Sequence, residues 1–226
     1  MIEKKIHYVW VGGNPLNELA KKCIKSWRKY CPDYKIIEWN ESNLDINQNL
    51  HCKQAYDSKK YGFVVDFASL FLLYNHGGIY MDVDMELLKP LDNFLNLPAF
   101  IGFEDKELMG VGLIGAEKEN KWIKQCLDMY ENVSFIKPNG QLDFTTRPTY
   151  MTQVTKTMYP NFQQNNSEQH FEHFSIYPTE YFCPLPYKSN KIKLTENSHS
   201  IHHWAASWVP PWKRFIRKRI LNLFNK

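Results

Sequence analysis

The stretch from Tyr61 to Glu86 constrains this chain more than any other. Val64, Phe67, Ala68, Phe71 and Leu72 recur at helical spacing and predict a buried helix. Gly77 and Gly78 predict its end, because glycine takes the left-handed conformation that closes a helix. Ile79, Tyr80 and Met81 follow as a short apolar run of strand type. That strand delivers Asp82 and Asp84 at its far end, where alternation turns residues two apart to one side. Two carboxylates at one point repel unless something positive lies between them. A hard divalent cation, which prefers oxygen ligands and leaves positions free for a phosphate, meets that need. A bare Asp-X-Asp is common by chance and then marks only solvated acids. Here it follows an apolar helix carrying Asp66, a glycine pair and an aromatic strand.

The rest of the chain supplies a frame for this stretch. Ile6 to Val11 reads as an apolar strand ending in Gly12-Gly13. Asn14 is the expected N-cap of a helix over 16–30, with Pro15 in its first turn. A second strand is expected over 35–39, and strand, helix, strand at this spacing predicts a parallel α/β sheet. Nucleotides bind at the carboxyl ends of such strands, where Trp10 and the glycines lie. A tryptophan face can stack on a base, and Gly12-Gly13 lets backbone come close. Further on, the pattern predicts helices over 47–60, 121–130 and 145–159, and strands over 100–103, 112–116 and 174–177. An extended segment is expected over 87–91, and a mobile polar loop over 161–173. No Walker loop is present, so P-loop enzymes are unsupported.

A length of 226 residues suits one domain with a real core. The five cysteines form no Cys-X-X-Cys pair and stand at no zinc-ligand spacing, which predicts free buried thiols in a reducing cytosol. The sequence begins directly with a strand, without a leader pattern, and no apolar run is long enough to span a bilayer. The net charge of +4 belongs to the tail: Lys213, Arg214, Arg217, Lys218, Arg219 and Lys226 outweigh it, and the remainder is net acidic. Phe215, Ile216, Ile220, Leu223 and Phe224 form an apolar stripe among those cations. This predicts a basic amphipathic helix over 210–226 lying on an anionic membrane surface, beside a catalytic domain over 1–209. The expected location is the cytoplasmic, inner face of the plasma membrane. Nucleic acid is not an expected partner, since no reading motif accompanies the basic residues.

A second signal runs from Ser200 through Ile201, His202, His203 and Trp204 to Ser207 and Trp208. A short strand ends there in two adjacent histidines. These alternate in direction, so one can face a cation and the other the core.

Asp66 followed by Gly77-Gly78-Ile79-Tyr80-Met81-Asp82-Val83-Asp84 resembles the signature of glycosyltransferases that carry an Asp-X-Asp sugar-binding motif. That family includes capsular and lipopolysaccharide sugar transferases, Och-type mannosyltransferases and glucosylating bacterial toxins. The segment from His7 to Gly13 is similar to the family's first strand, and the segment from Ser200 to Trp208 to its closing motif. The resemblance implies an α/β fold of GT-A type, a single Rossmann-like domain. It also implies a nucleotide-sugar donor such as a UDP-sugar, Mn²⁺ or Mg²⁺, retention of configuration, and a saccharide or lipid-linked oligosaccharide acceptor.

By the same likeness Asp66, Asp82 and Asp84 are the catalytic carboxylates, and Val9, Trp10, Asp66, Ser69, Tyr80, Asp82, Ser207 and Trp208 bind donor. Asp82, Asp84 and His203 hold the metal, with His202 the competing choice. Two positions depart from the pattern. Many members carry arginine where Ser69 stands, and glycine where Arg147 stands. Arg147 is expected either at the acceptor, meeting an acid or phosphate, or on the surface. Ser69 leaves open a non-catalytic UDP-binding scaffold at the membrane. A phosphatase of the haloacid dehalogenase type also begins with Asp-X-Asp, but Glu86 stands where that scheme wants Thr or Val.

Overall fold

The computed structural model describes residues 1–187 and 191–205. The expected tail helix over 210–226 therefore lies outside the described residues, as do Ser207 and Trp208.

Strand β1 (Lys5–Val9) leads through the glycine turn into helix α1 (Glu18–Tyr30), and β2 (Lys35–Trp39) returns parallel to β1. Helix α1 starts later than expected. Asn17, not Asn14, is its cap, accepting from the Ala20 N–H at 2.9 Å, so Pro15 stays in the preceding loop. The expected helix over 47–60 is a single 3₁₀ turn (Ile46–Gln48) followed by α2 (Leu50–Asp57). The central helix α3 (Tyr61–His76) is as long as its apolar pattern requires. Gly77 caps it at φ +59°, and β3 (Gly78–Met81) follows at once, parallel to β1.

The next strands are β4 (Met85–Leu87), β5 (Ala99–Phe103) and β6 (Met109–Ala116), of which β5 and β6 extend the sheet on the other side of β3. Helices α4 (Lys121–Asp128) and α5 (Arg147–Met158) follow, then β7 (Gln169–His170), β8 (Ser175–Tyr177), α6 (Thr179–Phe182) and β9 (Ser200–His202). The segment over 161–173, expected as a loop, contributes the edge strand β7. The main sheet has seven strands in the order β2-β1-β3-β6-β5-β8-β7. It is mixed, because β6 runs antiparallel to both β3 and β5. Strands β4 and β9 form a separate antiparallel pair.

Alternation along the strands splits the core in two. Val9, Tyr80, Ile101 and Ile114 face α2, α3, α4 and α5, while Ile6, Tyr8, Ile79, Met81 and Phe100 face α1 and α6. All five cysteines are free and buried. Among the described residues no helix is long and apolar enough to cross a membrane.

Candidate active site

The site forms where β1 and β3 end side by side. Asp82 and Asp84 do not share a strand face, as alternation predicted, because β3 stops at Met81. A tight turn brings them together instead. The Asp82 N–H donates to Gly112 O at 2.8 Å, and the Met85 N–H closes back on Asp82 O at 2.9 Å. Chain direction reverses, and β4 then pairs with β9 in a register that sets Met85 opposite His202. That pairing carries the closing segment to the aspartates. The His203 N–H donates to Asp84 O at 3.0 Å, and the Ala205 N–H to Asp84 Oδ2 at 2.7 Å.

The two adjacent histidines turn to different partners. His202 Nε2 lies 3.3 Å from Asp84 Oδ1, and one ligand atom each from Asp82, Asp84 and His202 lies within 4.8 Å of the others. His203, expected as the metal ligand, points the opposite way and meets Glu86 Oε2 at 2.7 Å. Glu86 in turn takes Lys22 at 2.7 Å. The position of His202 depends on Gly112, since a Cβ there would stand 3.2 Å from its Cε1 and 3.0 Å from Met85 Sδ. The Trp204 ring covers His202, with centroids 3.8 Å apart.

The electrostatics of this cluster follow from burial and proximity. Burial disfavours charge on His202, but the adjacent Asp84 carboxylate outweighs it and holds the imidazole well above the usual histidine range. Burial also works against Asp84, yet His202 and the Ala205 N–H keep it below the ordinary carboxylate value. Asp82 moves the other way, raised by burial. Two carboxylate oxygens and an imidazole converge, Asp84 and His202 buried and Asp82 partly exposed, in a donor set of the type that holds Mn²⁺ or Mg²⁺.

Several expected donor contacts are relocated. Tyr80 is 1% exposed, and its hydroxyl donates to Asp82 Oδ1 at 2.7 Å. It therefore orients the aspartate and does not face a ligand. Ser69 is fully buried, so its expected donor contact is excluded; its hydroxyl receives Arg147 Nη1. Val9 is likewise buried, packed in the core beneath the site. Trp10 is half-buried at the end of β1 with its ring N–H held by Asn14 O at 2.6 Å, which leaves its position fixed. Gly12, at φ +96°, admits no side chain: a Cβ would stand 2.3 Å from the Tyr61 ring.

Asp66 projects from α3 to the N-terminus of α5. Its Oδ2 accepts the Arg147 N–H at 3.3 Å, and burial pushes its carboxyl up to about 6 against the pull of the Arg147 charge. Arg147 itself is 1% exposed, so it is neither a surface arginine nor an acceptor-facing one. Sequence reasoning also passed over Glu104, just beyond β5. Burial pushes it up to about 7, and it lies near enough to His202, Asp82 and Arg147 to feel their charges. No motif marks it, since only the β5–β6 hairpin brings it here.

Comparison with known proteins gives the same picture. Residues 17–100 match the family model described as a glycosyltransferase sugar-binding region containing a DXD motif. An uncharacterised glycosyltransferase of Acanthamoeba polyphaga mimivirus is 31% identical, over 94% of this chain and 86% of its own length. Inositol phosphoceramide mannosyltransferase 3 of Schizosaccharomyces pombe is 27% identical over 56% of this chain. The chain spans only 36% of that relative and 33% of its paralogue, inositol phosphoceramide mannosyltransferase 1. Among solved structures, the PaToxG glycosyltransferase superposes with a TM-score of 0.53 at 21% identity, over 70% of each chain. The mixed α/β fold is thus the GT-A type that the sequence led one to expect.

Proposed function

Because this chain belongs to the glycosyltransferase family whose sugar-binding region carries the Asp-X-Asp motif, we propose that it is a metal-dependent, retaining hexosyltransferase. Its donor is a UDP-hexose or UDP-N-acetylhexosamine, and its acceptor a saccharide in cell-surface polysaccharide synthesis, as in capsule, O-antigen or lipopolysaccharide. The observation that carries this reading is the convergence of Asp82, Asp84 and His202 within 4.8 Å.

Each residue has a distinct task. Asp84 and His202 hold the cation, and Asp82, oriented by Tyr80, shares it with the donor ribose. The cation, when bound, supplies positive charge at the departing diphosphate. Trp10 offers its face to the uracil beside the exposed backbone of Gly13. Asp66 accepts hydrogen bonds from donor-sugar hydroxyls. Ser207 and Trp208 cover the diphosphate and exclude water, which limits hydrolysis. The basic segment 210–226 seats the enzyme on the inner face of the plasma membrane, near a lipid-linked acceptor. The yeast relative's name couples mannosyl transfer to inositol phosphoceramide, and this favours a lipid-borne acceptor here too.

The scaffold alternative drew its support from Ser69. That support weakens because Arg147 brings a guanidinium to the serine. Calorimetry of UDP with and without Mn²⁺ tests the donor site: binding that requires the ion is expected, and no binding in either case overturns the reading. Proton NMR of the first-formed product tests stereochemistry, and inversion would overturn the retaining assignment.

A further inference from the structure

Arg147 is a full charge placed behind the site. It opens α5 and is almost wholly buried. Its guanidinium sits over the Tyr80 ring, 5.1 Å from the centroid. Nη1 donates to Ser69 Oγ, and Nη2 donates to Val111 O at 3.0 Å. The same Nη2 lies 3.8 Å from Asp82 Oδ1, and Nε lies 3.7 Å from Asp66 Oδ1 without a hydrogen-bond partner. The guanidinium is therefore bonded to neutral oxygens and stands between the two carboxylates, while its own backbone N–H reaches Asp66 Oδ2.

A buried cation is a poor stabiliser, because desolvation offsets much of its attraction to nearby acids. A neutral side chain of similar bulk would fill a core as well. What the guanidinium adds is a fixed positive point that both Asp66 and Asp82 face. Ser69 is part of the same unit. It lies one helical turn beyond Asp66 on the same face of α3, and it is small enough to leave the space the guanidinium occupies. Because Arg147 Nη1 already reaches Ser69 Oγ, a longer cationic side chain rooted at 69 would enter the same space.

We propose that Arg147, seated on Ser69, is a positioning residue of the transfer reaction: it holds Asp66 and Asp82 in register for the donor. Position 69 is the alternative root from which the same charge can be supplied. The inference rests on the donor-site reading above. Arg147 touches neither ion nor donor; it acts through the two carboxylates.

The test compares Arg147→Met, Arg147→Gly, Ser69→Arg and the double variant Ser69→Arg/Arg147→Gly in the full chain. Each is assayed for thermal melting, Mn²⁺-dependent UDP binding, and kcat and KM with the UDP-sugar that the wild type turns over. Arg147→Met is expected to fold and bind UDP, with kcat lower by about 10- to 100-fold and KM little changed, as for misplacement of reacting groups. Ser69→Arg alone, with two guanidiniums in one space, is expected to be inactive. The double variant is expected to recover most of the kcat that Arg147→Gly loses. Wild-type kcat in Arg147→Met overturns the inference, and so does a folded double variant no faster than Arg147→Gly. Should the single variants fail to fold, the double variant decides: folded and active supports the charge swap, while unfolded or inactive overturns it. A wild type that turns over no UDP-sugar sinks the donor-site reading, which is a different failure.

Discussion

His202 Nε2 lies 3.3 Å from Asp84 Oδ1, while the adjacent His203 Nε2 lies 2.7 Å from Glu86. Neighbouring residues, one ending β9 and the other just beyond it, thus turn to different acidic partners. His202→Ala is expected to weaken Mn²⁺ binding in the presence of UDP by at least about tenfold, the loss typical even of groups that only support a ligand. His203→Ala is expected to leave it nearly unchanged, since Glu86 retains Lys22. A titration in which His203→Ala is the more damaging change would reverse the assignment.

Glycines 112 and 115 separate the site from the fold. Gly115→Ala places a Cβ 2.0 Å from the Phe100 ring in a packed core. Overpacking of this kind costs about 1–3 kcal/mol and should lower the melting temperature. Gly112→Ala instead presses on His202 and Met85 Sδ, at 3.2 and 3.0 Å. It is expected to weaken Mn²⁺ binding more than it lowers the melting temperature. Equal melting losses without a change in metal response would contradict this division.

Trp10 is expected to carry base affinity. Its ring is fixed by Asn14 O, so stacking requires little further ordering. Trp10→Ala should weaken UDP binding by about 1–3 kcal/mol, the range for loss of one base–aromatic stack. Calorimetry with UDP and with free Mn²⁺ checks it, and an effect on Mn²⁺ alone would place Trp10's role elsewhere.

Acid sensitivity should come partly from buried histidines outside the donor set. The His7 ring donates from Nε2 to Gly77 O at 2.8 Å and accepts the Trp39 Nε1 proton at Nδ1, 3.1 Å away. Both nitrogens are used in the neutral form, and burial pushes its pKa down to about 4. Burial does the same for His51, also to about 4. The unfolded chain therefore binds more protons between pH 6.5 and 4. Stability contributed by these groups is full above about 6.5 and is lost as pH falls towards 4, at about 1.4 kcal/mol per unit for each fully shifted group. Asp66, raised to about 6, and Glu104, raised to about 7, act in the opposite sense: each adds stability as pH falls through its value. Urea unfolding at pH 7, 6 and 5 should therefore show a steeper loss of stability in a Glu104→Gln variant than in the wild type, and the same profile in both would contradict it.

Much of this architecture was legible because it is local. The apolar period of α3, the Gly77-Gly78 stop and the Tyr80 strand specify one another within 26 residues (61–86), and the motif follows directly. The features that were not legible depend on contacts between distant segments. Strands β4 and β9 have three residues each, too few to show a period, yet their register selects His202 over His203. The convergence of Asp82 and Asp84 comes from a turn tied to Gly112, not from strand alternation. Arg147 read as an acceptor contact or a surface residue; only the meeting of the N-terminus of α5 with Asp66 and Ser69 of α3 buries it between two aspartates. Tyr80 and Ser69 read as donor contacts, and burial turned both inward as supports.

The most direct test of the account is release of UDP from a panel of UDP-sugars with Mn²⁺, in the wild type and in Asp84→Asn. The account predicts slow hydrolysis of one donor, abolished by EDTA and in Asp84→Asn, and faster release when a saccharide acceptor is added. Turnover that persists in Asp84→Asn or with EDTA would contradict the metal-dependent site. Absence of both turnover and UDP binding would contradict the donor reading itself.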